Sequence, residues 1–223
     1  MKGTSGGTVT IRLVWHFDFV SPYAYLQLAA HPDLFARDDV TLSPVLFAGL
    51  LGHWGHKGPA ELPTKRLHTY RQIVFRAGEL GVPVRFPPAH PFNPLHVLRL
   101  ATALDATIEV VRTIFDFIWA EGRSPAAEWR ALCERLDVHD GGEAAQDEAV
   151  KARLHENTQA AIDAGVFGVP TFAVARPDGA AAELFWGEDA TPMLRAYLAD
   201  PQLFASPEMR RVAALPEAAR RTT

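Results

Sequence analysis

The chain has 223 residues and a single cysteine, Cys133. One thiol cannot close an intramolecular disulfide, form a C-x-x-C redox pair or build a thiolate zinc cluster, so counting alone excludes those three function classes. A surplus of positive charge is also missing: 22 Lys and Arg stand against 26 Asp and Glu, a formal net charge of -4. With no basic excess to release counterions, nucleic acid is not an expected partner. Long apolar runs are absent as well. Arg12, Asp18, Pro44 and His53 interrupt them before membrane-spanning length, and Met1-Lys2-Gly3-Thr4-Ser5-Gly6-Gly7 has no apolar signal core. The expectation is a soluble, cytoplasmic protein with no membrane partner.

What is present is ordinary globular composition, 48% apolar and 22% charged, in a chain somewhat long for one typical domain. Val9, Ile11, Leu13 and Trp15 alternate with Thr10 and Arg12, which predicts a first strand over 9–15 behind a loose leader. Ser21-Pro22 then opens a helix, since serine caps and proline suits the first turn. A second strand is expected over Val40 to Phe47. The middle changes texture, with helical spacing over Leu95 to Leu104 and Ile108 to Trp119. Further helices are expected from Ser124-Pro125 through Leu136 and from Asp140 to Ala164, with a stop at Gly165. Strands return at Pro170 to Ala175 and Ala181 to Trp186, joined by Arg176-Pro177-Asp178-Gly179. Thr191-Pro192 caps a last helix through Leu198, and a frayed tail follows from Pro207. The order is βαβ, helices, ββα.

Two features bear on chemistry. Ser21 places a hydroxyl at a helix N-terminus, where unpaired N–H groups and the dipole favour an anion. The commoner use of such a serine is as a cap only. Gly168-Val169-Pro170-Thr171 precedes a predicted hairpin, and with a strand–turn–helix near the N-terminus it makes a thioredoxin-like arrangement, in which a cis proline faces the reactive turn. The fold class expected is therefore α/β: a discontinuous thioredoxin-like domain over 9–47 and 165–206, interrupted by an all-helical insertion over 48–164.

Four blocks in order, Phe17-Asp18-Phe19-Val20-Ser21-Pro22-Tyr23-Ala24-Tyr25, His90-Pro91-Phe92-Asn93-Pro94-Leu95 with Arg99-Leu100, Gly165 to Phe172, and Phe185-Trp186-Gly187-Glu188-Asp189, resemble the signatures of 2-hydroxychromene-2-carboxylate isomerases. That family groups with kappa-class glutathione transferases in the DsbA-like branch of the thioredoxin superfamily. The resemblance implies a glutathione cofactor, with Ser21 standing where redox relatives carry a nucleophilic cysteine and contacting the glutathione thiol. It further implies Val169 and Pro170 along the cysteinyl part, Asp189 at the γ-glutamyl amine and Asn93 in the active site. Asp189 reads equally as a cap of the following helix, and Asn93 as turn chemistry. The family's usual Asp-Arg is here Asp189-Ala190.

Lys65 and Lys57 match the family's substrate-side lysines loosely, and Trp54 is a candidate wall of an apolar pocket for an aromatic carboxylate. The implied reaction is isomerisation by reversible thiolate addition and elimination. A conjugate-forming transferase and a non-catalytic binding protein on the same scaffold remain open, as does a homodimer. Nine histidines include His53 and His56, which glycines at 52, 55 and 58 place on a loop, but no H-E-x-x-H or carboxylate–histidine triad occurs, so no metal is expected. Cys133, on one helical face with Trp129, Leu132 and Leu136, is expected to be a buried small hydrophobe.

Overall fold

The computed structural model describes residues 12–139, 142–176 and 179–217. Four strands form one sheet in the order β2-β1-β3-β4: β1 (Leu13–Phe17), β2 (Val40–Pro44), β3 (Thr171–Val174) and β4 (Glu183–Trp186). β1 runs parallel to β2 and antiparallel to β3, and β3 pairs antiparallel with β4. Register decides which side chains share a face. The row Leu42, Trp15, Phe172, Phe185 faces the main core, and the row Ser43, His16, Thr171, Trp186 lies on the other side.

The strand order is that of a thioredoxin-like α/β fold, and everything described between β2 and β3 is helix or loop. Helices α1 (Pro22–Ala30) and α2 (Pro32–Phe35) join β1 to β2. Then come α3 (Phe47–Trp54), α4 (Pro63–Leu80), α5 (Leu95–Ala103), α6 (Ile108–Phe115), α7 (Trp129–Arg135) and α8 (Glu148–Asp163). After β4 follow α9 (Thr191–Ala199) and α10 (Pro207–Ala213). One apolar cluster runs from the sheet into the helical stretch. Trp15 stacks on Phe17 at 4.6 Å between centroids, and Phe115 of α6 packs against Trp15, Phe17, Phe19 and Tyr25. No helix among the described residues is long and apolar enough to cross a membrane.

Several expected boundaries move. β1 extends to Phe17, because helices on both faces let polar His16 be buried in what periodicity treats as an amphipathic strand. The expected residues 9–11 of that strand, the leader, and Pro177 and Asp178 of the hairpin turn lie outside the described residues. β2 stops at Pro44, opposite Phe17, and Phe47 begins α3 instead of ending a strand. Of the two histidines expected on a loop, His53 therefore lies in the last turn of α3, which Gly55 ends with φ +65°, while His56 follows on the loop. The 18-residue α4 has no counterpart in the expected elements, because its polar, proline-opened sequence lacks a strong apolar stripe.

Ser124-Pro125 opens a turn, and α7 starts only at Trp129. The expected helix from Asp140 is a 3-10 turn at Glu143–Gln146 followed by α8; Asp140 and Gly141 lie outside the described residues. Thr191 is inside α9 and donates to the Glu188 carbonyl, so it does not cap that helix, and the expected frayed tail contains α10.

Candidate active site

The turn between β1 and α1 is built from an acidic residue in an apolar run. Asp18 is fully buried, and its two carboxylate oxygens accept separately from the Val20 N–H at 3.0 Å and the Phe47 N–H at 2.9 Å, tying the turn to the start of α3. Burial pushes this carboxyl up to about 7, against the two backbone bonds that favour its ionised form. The Ser21 N–H donates to the Asp18 carbonyl at 3.0 Å. Two side chains from the helical stretch hold the remaining carbonyls: Trp119 Nε1 donates to Phe19 at 2.9 Å, and His90 Nε2 lies 2.9 Å from the Val20 oxygen. Trp119 reaches its partner from a π-helical turn, Asp116–Ala120, a distortion frequent at functional sites.

Ser21 emerges from this frame as the N-cap of α1, with φ -90° and ψ 110° and with Pro22 at the first helical position. Its Oγ accepts from the Ala24 N–H at 3.3 Å and donates to the Val169 carbonyl at 3.4 Å, across 148 positions of sequence. No acidic residue occupies the first turn of α1, so the helix end stays electropositive.

Val169 precedes a cis bond to Pro170, and a second cis bond joins His90 to Pro91. The approach to Val169 is fixed by side chains: Trp54 Nε1 donates to the Val166 carbonyl at 2.9 Å, and Thr171 Oγ1 to the Gly168 carbonyl at 2.7 Å. The Val169 N–H has no hydrogen-bond partner among the described residues. Glycine at 168 has a steric cause. A Cβ there would stand 2.5 Å from Trp186 Nε1, so the indole lies against the bare backbone, with Phe167 packed on it at 5.2 Å.

The third part of the site is the loop after β4. Gly187 adopts φ +95°, a conformation that favours glycine, and donates to the Pro170 carbonyl at 2.9 Å. Buried Gln27 of α1 accepts from Trp15 Nε1 at 2.7 Å and donates to the Gly187 carbonyl at 3.1 Å and to Thr191 Oγ1 at 3.0 Å. Glu188, 2% exposed, is gripped by Arg76 of α4 through Nε at 3.0 Å and Nη2 at 3.1 Å, with His31 at 3.4 Å. Asp189 is left facing solvent. Burial first, then the Asp189 and Glu188 charges, hold the Tyr23 phenol above its ordinary value, so Tyr23 shares this acidic corner; its hydroxyl lies 3.1 Å from Gln72 Oε1.

Among the expected site residues, Ser21, Val169 and Pro170 are brought together, and Asp189 sits on the loop bonded to both α1 and the Pro170 strand. Asn93 is exposed; its Oδ1 accepts from the Leu95 N–H at 3.0 Å, an Asx turn opening α5. The cap suggested for Asp189 is absent, because Ala190 is the N-cap of α9. Lys57 lies beyond α3 and Lys65 in the first turn of α4; both are exposed, and neither makes an ion pair among the described residues. Trp54 borders the 166–169 segment. Cys133 is buried beside Leu100 and Ala145. Among the described residues, no cluster of three His, Cys, Asp or Glu could hold a metal ion. Sequence reasoning missed Asp18, His90, Trp119, Tyr23 and Glu188. Asp18, Tyr23, His90 and Glu188 stand inside the signature blocks, and Asp18 is besides the one carboxylate within the apolar run from Leu13 to Val20; Trp119 carried no such signal.

This geometry, a helix N-terminus opposite a cis proline at the start of an inner strand, agrees with the family comparison. The DSBA-like thioredoxin domain matches residues 12–199. The chain belongs to that family. This DSBA-like chain is 26% identical over 204 residues to glutathione S-transferase kappa 2 of Caenorhabditis elegans, covering 83% of this chain and 90% of the relative. It is 28% identical over 196 residues to 2-hydroxychromene-2-carboxylate isomerase of Pseudomonas putida, covering 82% and 91%. A solved structure of a 2-hydroxychromene-2-carboxylate isomerase superposes with a TM-score of 0.71 at 24% identity, over 92% of this chain and 99% of the other, and so shares the fold.

Proposed function

We propose that the protein is a glutathione-dependent isomerase acting on an aromatic carboxylate of the 2-hydroxychromene-2-carboxylate kind, in the cytoplasm. The observation that carries this reading is the Ser21 hydroxyl at the α1 N-terminus, opposed to Val169–Pro170 in a chain whose one cysteine is buried away from the turn. Relatives named as isomerases and as kappa transferases support it. The residues fit the tripeptide: among the described residues the Val169 N–H is unpartnered, the Ser21 bond to Val169 is long and easily redirected, and Asp189 is an open carboxylate.

Bound glutathione would supply a thiolate nucleophile for reversible addition to a conjugated double bond. Ser21 Oγ donates to the sulfur, and the α1 N-terminus stabilises its charge, which lowers a free thiol value of about 8.5. The Val169 backbone pairs with the extended cysteinyl part like an added strand, while Asp189 holds the γ-glutamyl ammonium. Asn93 completes the cofactor side. Lys65 or Lys57 meets the substrate carboxylate, and Trp54 offers an apolar wall.

The test is ultraviolet absorbance of substrate turnover with and without glutathione. Dependence on glutathione, with Ser21→Ala lowering the rate at least tenfold, is expected. Equal rates in both conditions exclude the cofactor, and full activity of Ser21→Ala excludes the residue. The similarity to kappa transferases favours a second outcome, a stable thioether detected by mass spectrometry. Calorimetry without any glutathione signal would leave a binding protein.

A further inference from the structure

The helical stretch reaches the Ser21 turn through a contact that the proposed chemistry does not use. The Val20 carbonyl has no proton to give, so His90 Nε2, 2.9 Å away, must carry one, and Nδ1 of the neutral ring is an acceptor. Tyr70 of α4 meets that acceptor: its hydroxyl lies 2.7 Å from Nδ1, and also 2.7 Å from the backbone oxygen of His90. Aromatic rings box the imidazole, with centroids at 5.2 Å for Tyr70, 5.3 Å for Trp119, 5.9 Å for Phe86 and 6.3 Å for Phe92. Burial first, and then the Arg66 charge, hold His90 below its ordinary value despite the Val20 bond, which keeps the ring neutral at pH 7.

The Val20 carbonyl and the Ser21 N–H belong to one peptide group, and that N–H donates to the Asp18 carbonyl at 3.0 Å. Three bonds therefore run in series: the single Tyr70 hydroxyl proton, shared between His90 Nδ1 and the His90 carbonyl, then His90 Nε2–H to the Val20 carbonyl, and Ser21 N–H to the Asp18 carbonyl. Hydrogen bonds in series polarise and strengthen one another. We propose that His90, set by Tyr70, is the positioning residue for Ser21, a relay from α4 that holds the turn so that the hydroxyl meets the glutathione sulfur. The thiol-aiming part rests on the glutathione reading above. His90 touches neither cofactor nor substrate and acts only through the Val20–Ser21 peptide.

Three variants separate the relay from mere packing. His90→Gln keeps a donor at the Nε2 position, His90→Leu removes it, and Tyr70→Phe removes one hydroxyl with little risk to folding. Two readouts need no glutathione: the histidine tautomer from nitrogen chemical shifts, and hydrogen exchange of the Ser21 amide. Expected are the Nε2–H tautomer from pH 6 to 8 in the wild type and also in Tyr70→Phe, where the Val20 carbonyl still requires it, with the Nδ1 chemical shift moved in Tyr70→Phe by the loss of its hydrogen bond. Ser21 exchange should quicken roughly tenfold in His90→Leu, the factor for one hydrogen bond, and return near wild type in His90→Gln. The thiol pKa of bound glutathione, read from thiolate absorbance, should rise in His90→Leu but not in His90→Gln.

An Nδ1–H tautomer in the wild type, an unchanged Nδ1 shift and Ser21 exchange in Tyr70→Phe, or a Gln variant as impaired as the Leu variant overturns the relay. A bound thiol indifferent to His90→Leu overturns the positioning role alone. Tautomer and exchange as expected without glutathione binding refute the cofactor reading, and with it the thiol-aiming role, while supporting the relay itself.

Discussion

Two buried groups on and beside β1 make opposed demands on pH, and removing one should expose the other. Burial raises the Asp18 carboxyl from 3.8 to about 7, and burial lowers His16 from 6.5 to about 4. Between 3.8 and 7 the folded state holds a proton on Asp18 that the unfolded chain has released, so stability falls as pH rises through that window. Between 4 and 6.5 the unfolded chain protonates His16 while the folded chain does not, so stability rises with pH. Each pH unit fully inside a window is worth about 1.4 kcal/mol.

From pH 5 to 7, Asp18 thus withdraws about 3 kcal/mol, while from pH 5 to 6.5 His16 adds about 2 kcal/mol. His90, also held low by burial, acts in the direction of His16. Asp33, Asp39 and Glu121, held low by bonds from Arg195, Arg37 and Arg135, lose their contribution only as pH falls below their ordinary range, so a window starting at pH 5 excludes them. The wild-type curve of unfolding free energy, measured by urea melts from pH 5 to 7.5, should stay within about 1 kcal/mol. Asp18→Asn should give a curve that climbs by about 2 kcal/mol toward pH 6.5, whatever its absolute stability. A flat or falling Asp18→Asn curve, or a wild-type curve that climbs by that amount, refutes the assignment of opposed linkages.

Gly168→Ala places a Cβ 2.5 Å from Trp186 Nε1, a half-exposed indole that must swing away. Its fluorescence should redshift and glutathione affinity should fall several-fold, and an unchanged spectrum would show that the contact yields without rearrangement. Leu67, Val74 and Phe75 lie exposed on α4, where a charge tests the homodimer that the family resemblance implies. Sedimentation should find a dimer that Phe75→Glu converts to monomer; a monomeric wild type would refute the pairing.

The strand–turn–helix at Ser21 and the hairpin after Pro170 were legible because their cues are local. Ser21-Pro22 is a cap followed by a helix-compatible proline, and apolar runs bound the hairpin. The signature blocks carried the family in the same way, with Phe17 to Tyr25 and Gly165 to Phe172 ending up on facing segments. What failed were elements whose apolar pattern is weak or misleading: α4, which Pro63 opens and Gly81 ends but which lacks a strong apolar stripe, and the helical continuation after Pro44. Asn93, Lys57 and Lys65 were read from position in a motif, and the fold leaves them exposed, with their distance from the turn set by packing.

The sequence by itself determined that no dithiol, disulfide or thiolate metal centre can be built within this one chain, because those need more sulfur than one cysteine provides. It also determined that a hydroxyl stands at a helix N-terminus, since Ser21-Pro22 specifies both cap and first turn. Only the tertiary structure decided what holds that hydroxyl in place. The carbonyls of Phe19, Val20 and Val169 find partners 100, 70 and 148 positions away, and such contacts leave no periodicity in the chain. The turn can be read as a motif, but its rigidity comes from helices folded back onto it.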